Sequence, residues 1–436
     1  MRKKTYAVLA AVLAASIGAA YLYTYLKPIQ DIAYYQNEVH KTKIRIYLNF
    51  GPQDGKSRIY QDIINNYNEE HNDVIIETSY VPGNDYFSRL KIDFVSGNEA
   101  DIFITWPSVT TNKVAGKGKI VDMKPDLEND HDWYSSFNKS VWKYVSKDEK
   151  ITGIPLMTTY AAMYVNTDVL SDVGVSIPQT YEQLKEIIPV LRSKNIVPIA
   201  FDMSDDGLLL YRCIASMLGG KFTASNVSSS GVPNEYYIRA ADYIKELYNM
   251  GAFPKDLFAI TKKQCDNLFL SKKAAFIVRY SEFSENIDES GLFETVSINP
   301  FPVFEDGLSL DKAILYGAGS DTIFVSSKNW ENEKMREKIL SVVKYFTSQR
   351  SAYYIAENLG SVPTIKIRKA ATKAKNQVYQ RNCDFINSAN QIIDFSNYYI
   401  DSDVLRHICD RFPLFLEDKI TIQEVWDYAY RYVSEN

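Results

Sequence analysis

The sequence predicts an α/β protein built from more than one domain, and two observations lead to this prediction. The chain has 436 residues, which is more than a single hydrophobic core usually organises. Between residues 44 and 105, apolar segments typical of strands alternate with amphipathic helical patterns in the order strand, helix, strand, helix, strand. This order is typical of a parallel sheet with helices on its faces. Such sheets bind ligands at the carboxyl ends of their strands.

The elements of this first unit follow from local patterns. Short apolar or alternating runs predict strands at 44–50, 74–80 and 100–105. Apolar residues at helical spacing predict helices at 58–70 and 86–95. Because the three strands are expected to be parallel, their carboxyl ends lie at one edge of the sheet.

Three side chains follow the first and third strands and are candidate ligand contacts. Phe50 and Asp54 come after the first strand, and Trp106 comes after the third. An indole such as Trp106 offers a ligand a flat apolar face. The alternatives are that Trp106 packs between loop and sheet, and that Asp54 only bonds to backbone amides of its turn.

The most specific pattern occupies residues 153–184. Ile154 precedes a proline, which favours an extended backbone, and the small apolar run that follows predicts a buried strand. A short helix is expected next, ended by Gly174. Thr180 with Gln183 forms the capping box of a further amphipathic helix.

This stretch resembles the crossover segment of the bacterial extracellular solute-binding proteins, family 1, which are the sugar-capturing receptors of ABC importers. The alternative is an unrelated α/β protein that also has a Pro-Thr capped helix. The residues that fit the family pattern are Tyr164, Asn166, Gly174, Pro178, Thr180 and Leu184.

The resemblance implies a two-lobed α/β fold like that of periplasmic binding proteins, with a ligand cleft between the lobes and hinge crossovers. It covers residues 43–367 well. Under it, lobe 1 comprises 43–157 with 321–365, and lobe 2 comprises 158–320 with 366–436. Residues 1–42 would be a signal or membrane anchor followed by a tether.

The resemblance also implies where the ligand binds. Relatives often carry Gly-x-Trp after the strand that ends near residue 279, and here Tyr280 and Glu282 are the candidate replacements. Arg279 either bonds an acidic ligand or pairs with Glu282, and Asp206 either binds ligand hydroxyls or caps a helix. The full set of expected ligand contacts is Phe50, Asp54, Trp106, Tyr160, Asp206, Arg279, Tyr280, Glu282, Tyr316 and Gly317.

The N-terminus predicts export. Three cations at residues 2–4 precede an uncharged run at 5–26, which is long enough for a span of about 20 helical residues. The leading cations favour a cytoplasmic N-terminus and an exported remainder. Two interpretations stay open, a signal peptide cleaved before Tyr21 and an uncleaved anchor. No cysteine precedes Cys213, so a lipid anchor is not expected.

Charge and residue types exclude several classes of function. The net charge of −5 gives no electrostatic footprint for nucleic acid. The four histidines are scattered, and no dinucleotide or hydrolase motif is present, so neither metal nor cofactor is expected. The four cysteines show no paired spacing; either Cys383 and Cys409 form a disulfide or all four are unpaired.

We therefore expect a monomeric, non-enzymatic binding protein at the extracellular face of the membrane. It would capture a carbohydrate and deliver it to the permease of an ABC importer. One alternative is a receptor of the same fold for a peptide or an organic acid. The other is an extracellular carbohydrate-active enzyme, which needs only two suitably spaced carboxylates.

Overall fold

The structure is a computed structural model. It describes residues 41–52, 55–81, 85–224, 233–309, 311–319, 321–367 and 376–435. The uncharged run at 5–26 and the candidate contact Asp54 lie outside these residues. Within the described ranges, no helix is both long and apolar enough to cross a membrane. All four cysteines are described, and they are free thiols, so the alternative of unpaired cysteines holds.

Fourteen strands are formed in the described part of the chain. In order they are β1 (Thr42–Leu48), β2 (Val74–Tyr80), β3 (Ile102–Thr105), β4 (Ser146–Lys147), β5 (Lys150–Ile151), β6 (Ile154–Pro155), β7 (Met157–Asn166), β8 (Val197–Ala200), β9 (Ala274–Tyr280), β10 (Val296–Asn299), β11 (Ala313–Ala318), β12 (Thr322–Val325), β13 (Val362–Pro363) and β14 (Gln391–Ile393).

The α-helices of the described residues lie between these strands and beyond them. In order they are α1 (Gly55–Glu70), α2 (Asp85–Ser96), α3 (Val109–Gly116), α4 (Lys124–Asn129), α5 (His131–Ser136), α6 (Thr167–Asp172), α7 (Tyr181–Ser193), α8 (Leu209–Gly219), α9 (Glu235–Asn249), α10 (Lys262–Leu270), α11 (Phe283–Glu289), α12 (Glu333–Phe346), α13 (Gln349–Leu359), α14 (Gln377–Asn387), α15 (Ser402–Leu416) and α16 (Ile422–Glu435).

The first sheet has five strands in the order β2-β1-β3-β12-β6. Strand β1 is parallel to both β2 and β3, and β12 is antiparallel to β3. The carboxyl ends of β1 and β3 therefore share an edge with the start of β12. The predicted strands and helices of this unit are all present, with ends displaced by up to three residues.

The second sheet is built around β7, which is buried along its whole length. Strands β9 and β11 are antiparallel to β7, and β8 is parallel to β9. Strands β8, β9 and β11 therefore end at the edge where β7 begins. Strands β10, β13 and β14 complete the sheet.

Each sheet has helices and a hydrophobic core on both faces, which makes each a separate lobe. In β1, Ile46 and Leu48 point into one core of lobe 1, and Tyr47 points into the other. In β7, Met163 and Tyr164 divide in the same way between the two cores of lobe 2. This alternation follows from the two-residue period of a strand. The predicted two-lobed α/β fold is confirmed.

The family motif in β7 and α7 has a structural cause. The side-chain amide of Asn166 is fully buried and donates to the carbonyls of Phe269 (2.9 Å) and Ala274 (2.8 Å), which ties the end of β7 to β9. A buried amide without such partners would be costly. The predicted capping box is also present, because Thr180 and Gln183 bond to each other's backbone amides.

Candidate functional site

The strand-end edges of the two sheets lie next to each other because the chain crosses between the lobes there. One crossing joins β6 to β7, and a second joins β11 to β12. At a third, β13 pairs with β7, and the amide of Thr364 bonds to the carbonyl of Leu156 (3.0 Å). These crossings place the carboxyl ends of β1 and β3 beside those of β8, β9 and β11. The region between the two edges is the candidate cleft.

A buried carboxylate organises the lobe 1 side of the cleft. Asp321 is fully buried, and it accepts from Tyr60 Oη (2.6 Å) and from Lys56 Nζ (3.0 Å). Burial raises the pKa of Tyr60 well above its ordinary value, and the nearby charges of Asp321 and Glu282 raise it further. Tyr60 is therefore a neutral donor. The Asp321 carboxylate holds both side chains at the first turns of α1.

Glu282 lies on the lobe 2 side of the same region. Its Oε2 accepts from the hydroxyls of Thr159 (3.0 Å) and Ser281 (3.2 Å), at the points where β7 begins and β9 ends. Its side chain is half-buried, and its charge reaches Tyr60 of lobe 1. A carboxylate has several acceptor positions, so Glu282 can also accept hydrogen bonds from a ligand hydroxyl.

A second carboxylate of lobe 2 touches the start of α1. A Cβ added to Gly55 would lie 2.8 Å from Oε1 of Glu285, so this carboxylate sits directly against the first residue of the helix. The N-terminal end of a helix favours a negative charge. The two lobes therefore touch here through a carboxylate and a helix terminus.

The two candidate aromatic residues of lobe 1 differ in exposure. Trp106 is half-buried and packs edge-on against Phe87, with ring centroids 4.9 Å apart. Phe50 is only 3% exposed and packs against Tyr60 and Tyr80. Trp106 thus keeps part of its surface exposed, whereas Phe50 is a core residue.

Arg279 does not reach the cleft. The guanidinium is 2% exposed and makes ion pairs with Asp202 (2.6 Å) and Asp266 (2.8 Å) inside lobe 2. Both partners suggested by the sequence, an acidic ligand and Glu282, are therefore wrong, because two other carboxylates enclose the guanidinium.

Tyr160 is also an interior residue. It is 1% exposed, its hydroxyl donates to Asn382 Oδ1 (2.6 Å), and its ring packs against Phe385. The family resemblance implied a ligand contact, but the side chain points into a core of lobe 2 instead.

Asp206 and Tyr280 stay partly exposed near the lobe 2 edge. Asp206 lies 3.4 Å from Lys262 Nζ, and Tyr280 Oη accepts from Arg212 (3.2 Å). The capping alternative for Asp206 is wrong, because α8 begins at Leu209 without a side-chain cap. The ligand contacts predicted for both residues stay predictions.

Tyr316 and Gly317 belong to the second crossing. Tyr316 is 8% exposed, and its carbonyl accepts from Tyr144 Oη of lobe 1 (3.0 Å). A Cβ on Gly317 would lie 2.2 Å from Tyr398 Oη, so a larger residue here would displace the Tyr398 ring. Both residues contact parts of the chain that are distant in sequence but packed against the crossing, as expected at a hinge.

Sequence reasoning missed four polar residues of the cleft. Lys56 and Asp321 lie on lobe 1. Thr159 and Ser281 lie on lobe 2, and each is adjacent in the sequence to a residue that was singled out. The available signal was their place directly after a turn or at a strand end. Within the described residues, no group of three or more potential ligands could hold a metal ion.

The fold and this cleft define a class of protein, a two-lobed receptor for a solute. The model of the family described as bacterial extracellular solute-binding protein matches residues 52–353, which is more than half of the chain. The chain belongs to this family.

Individual relatives are distant. The maltodextrin-binding protein MdxE of Bacillus subtilis is 23% identical over 323 residues, covering 71% of this chain and 72% of the relative. The melibiose/raffinose/stachyose-binding protein MelE of the same organism is 19% identical over 316 residues, covering 70% of each.

Solved structures show the same fold. A chitin oligosaccharide binding protein superposes with a TM-score of 0.78 at 17% identity, covering 91% of this chain and 98% of that one. MalE3 of T. maritima, with maltose bound, superposes with a TM-score of 0.71 at 16% identity, covering 90% and 99%.

Proposed function

We propose that this protein captures a carbohydrate in the interlobe cleft and delivers it to the permease of an ABC importer. The observation that carries the proposal is the pairing of a half-exposed indole, Trp106, with hydroxyl-binding groups on the opposite lobe, above all Glu282. Sugars combine apolar ring faces with many hydroxyls, so they need both kinds of contact. The names of the relatives MdxE and MelE, which bind oligosaccharides, support the same substrate class.

Binding would work by closure of the lobes. A ligand that contacts both edges stabilises the closed state by its differential affinity for that state. Trp106 would cover one ring face, while Glu282 and its hydroxyl neighbours would bond to the sugar hydroxyls. We propose that the protein acts as a monomer and catalyses no reaction.

The charges of the cleft argue against an acidic ligand. Arg279, which suggested such a ligand, is enclosed by two carboxylates inside lobe 2. At the cleft, Lys56 is paired with Asp321, and lobe 2 presents the carboxylates of Glu282 and Glu285. A neutral sugar suits this environment better than an organic acid.

The place of action is proposed from the N-terminal sequence. The cations at residues 2–4 and the uncharged run at 5–26 would direct export. The lobes would then stand on the extracellular face of the membrane, held by this run as an anchor or released after signal cleavage.

Thermal unfolding of residues 41–436 with a panel of mono- and oligosaccharides tests the proposal. A sugar at 100 times its Kd should stabilise the folded state by about 2.7 kcal/mol, which raises Tm by a few degrees. In Trp106→Ala this shift should be lost, while the variant without ligand still unfolds cooperatively.

Trp330→Ala is the matched control, because Trp330 is also half-buried on lobe 1 but lies after β12, packed against Arg336. This variant should keep the full sugar-induced shift. A shift only with peptides or organic acids would reject the carbohydrate, and a normal sugar response of Trp106→Ala would reject the stacking role.

A further inference from the structure

The ion pairs that join the described parts of the two lobes share one polarity. In each pair found between the described parts of the lobes, lobe 1 supplies a lysine and lobe 2 an aspartate. We call these six residues the interlobe seam; the pairs are Lys91–Asp403 (2.6 Å), Lys113–Asp401 (2.7 Å) and Lys143–Asp394 (2.7 Å).

All three aspartates of the seam come from one short segment of lobe 2, residues 394–403, which leads from β14 into α15. The same segment contacts the backbone beside the candidate stacking residue, because Asn397 Nδ2 donates to the carbonyl of Pro107 (3.0 Å). Pro107 follows Trp106 directly, and α3 with Lys113 begins two residues later. The segment therefore holds the Trp106 loop against lobe 2.

Asp401 is the best enclosed residue of the seam. Its side chain is only 10% exposed and accepts from Lys113 Nζ (2.7 Å), Thr110 Oγ1 (3.3 Å) and the amide of Asp403 (3.0 Å). Burial raises the pKa of Asp401, but the bonds from Lys113 and Asp403 outweigh it, so the pKa lies below its ordinary value. The carboxylate is therefore charged at neutral pH.

We propose that Asp401 is a positioning residue for ligand binding, which draws the Trp106 loop of lobe 1 against lobe 2 through Lys113. Because every ion pair of the seam has the same polarity, the lobes attract each other as two oppositely charged surfaces. Closure, and with it the affinity for an uncharged sugar, then depends on ionic strength. The affinity part rests on the proposed function, whereas the closure part does not.

The physical basis is a population shift. Exposed charges are screened beyond about 10 Å at 0.1 M salt and beyond about 3 Å at 1 M. Salt therefore weakens the attraction between the lobes and lowers the population of the closed state. The apparent affinity for a ligand falls in proportion to the population that can bind it.

Small-angle scattering of the ligand-free protein tests closure directly. Both lobes have their cores within residues 41–435, so residues 41–436 are used. The radius of gyration of the wild type should rise between about 0.05 M and about 1 M NaCl. Asp401→Asn should already have the larger radius at low salt and should respond less to added salt.

The chain offers a closely matched control in Asp130. Like Asp401, Asp130 caps a helix by accepting a backbone amide, here of Trp133 (3.0 Å), and it pairs with a lysine, Lys344 (2.6 Å). This pair lies entirely within lobe 1. Asparagine caps a helix about as well as aspartate, so both variants should fold. Asp130→Asn should scatter like the wild type, and Lys113→Met should reproduce Asp401→Asn.

Calorimetric titration with maltotriose and with stachyose tests the affinity. For a sugar that binds, Asp401→Asn should weaken binding about fivefold at low salt, the effect of losing one partly exposed ion pair. The wild type should lose affinity as salt rises, and the variant should lose less. If neither sugar binds, the scattering data alone decide whether Asp401 favours closure of the lobes. Equal radii of wild type and Asp401→Asn at low salt, or equal affinities, would overturn the proposal.

Discussion

Two charged residues at the end of β9, only three positions apart, are used in opposite ways. Arg279 is 2% exposed and is enclosed by Asp202 and Asp266, which belong to the same lobe. Glu282 is half-buried at the cleft and accepts from the hydroxyls of Thr159 and Ser281. The comparison teaches that the partners of a charged side chain decide whether it stabilises the fold or can bind a ligand. A charge closed in by fixed opposite charges stabilises the lobe, whereas a charge held by hydroxyls at an edge can also bind ligand hydroxyls.

The largest effect is expected from removing the enclosed charge. Arg279→Met should lower the free energy of unfolding by about 3–5 kcal/mol, because it leaves the buried carboxylate of Asp202 without its cationic partner, whereas Asp266 keeps Lys262. Urea unfolding followed by circular dichroism measures this loss. Ligand binding at low temperature should survive in the molecules that still fold.

Arg239→Met in the same lobe is the matched control for this loss. Arg239 pairs with Asp306 at the surface, where the carboxylate is 56% exposed, and such pairs contribute at most about 1 kcal/mol. If both arginine variants lost the same stability, the enclosed pair would have no special role.

Acid should weaken the ion pairs of Arg279, because Asp202 becomes protonated. Burial raises the pKa of Asp202, but Arg279 and Ser204 lower it more, so the folded-state pKa lies below the ordinary value. A group of this kind stabilises the fold above its unfolded-state pKa of about 3.9, and the contribution is lost as pH falls below that value.

The measurement for this second prediction is urea unfolding at neutral pH and again below pH ~4. Wild type should lose more stability on acidification than Asp202→Asn, because asparagine has no proton to gain. At neutral pH the variant itself should be less stable by about 1–3 kcal/mol, since Arg279 keeps only Asp266. Identical acid sensitivity of the two proteins would show that Asp202 is not the titrating group.

The sequence predicts the lobes well because their signals are local. Strand and helix periods and the capping box at Thr180 each depend on residues that are close together in the sequence. The roles at the end of β9 depend instead on distant contacts. Asp202 is 77 residues from Arg279 along the chain, and it meets Arg279 only because β8 and β9 pair in parallel. No pattern within β9 carries that information.

The same reason explains the other outcomes at the candidate site. Trp106 was singled out because it follows a strand at the predicted edge, and Glu282 because the family resemblance marks that position; the ligand contact of each stays a prediction. Tyr160 lies at that edge as well, but the alternation of β7 directs it into a core, where Asn382 binds its hydroxyl. The interlobe contact of Asp401 could not be predicted, because it depends on how one lobe rests on the other.

The smallest effect on stability is expected at Glu282. Glu282→Gln keeps the size and one acceptor of the side chain, so the free energy of unfolding should change by no more than about 0.5 kcal/mol. Sugar affinity should fall about fivefold, because hydrogen bonds to a charged acceptor are stronger than those to a neutral one. Calorimetric titration measures the affinity, with Glu289→Gln as the control, because Glu289 is an exposed residue of α11, the helix that follows Glu282. A large loss of stability with unchanged affinity would instead assign Glu282 to the fold, as Arg279 is, and would remove the distinction between the two ends of this short segment.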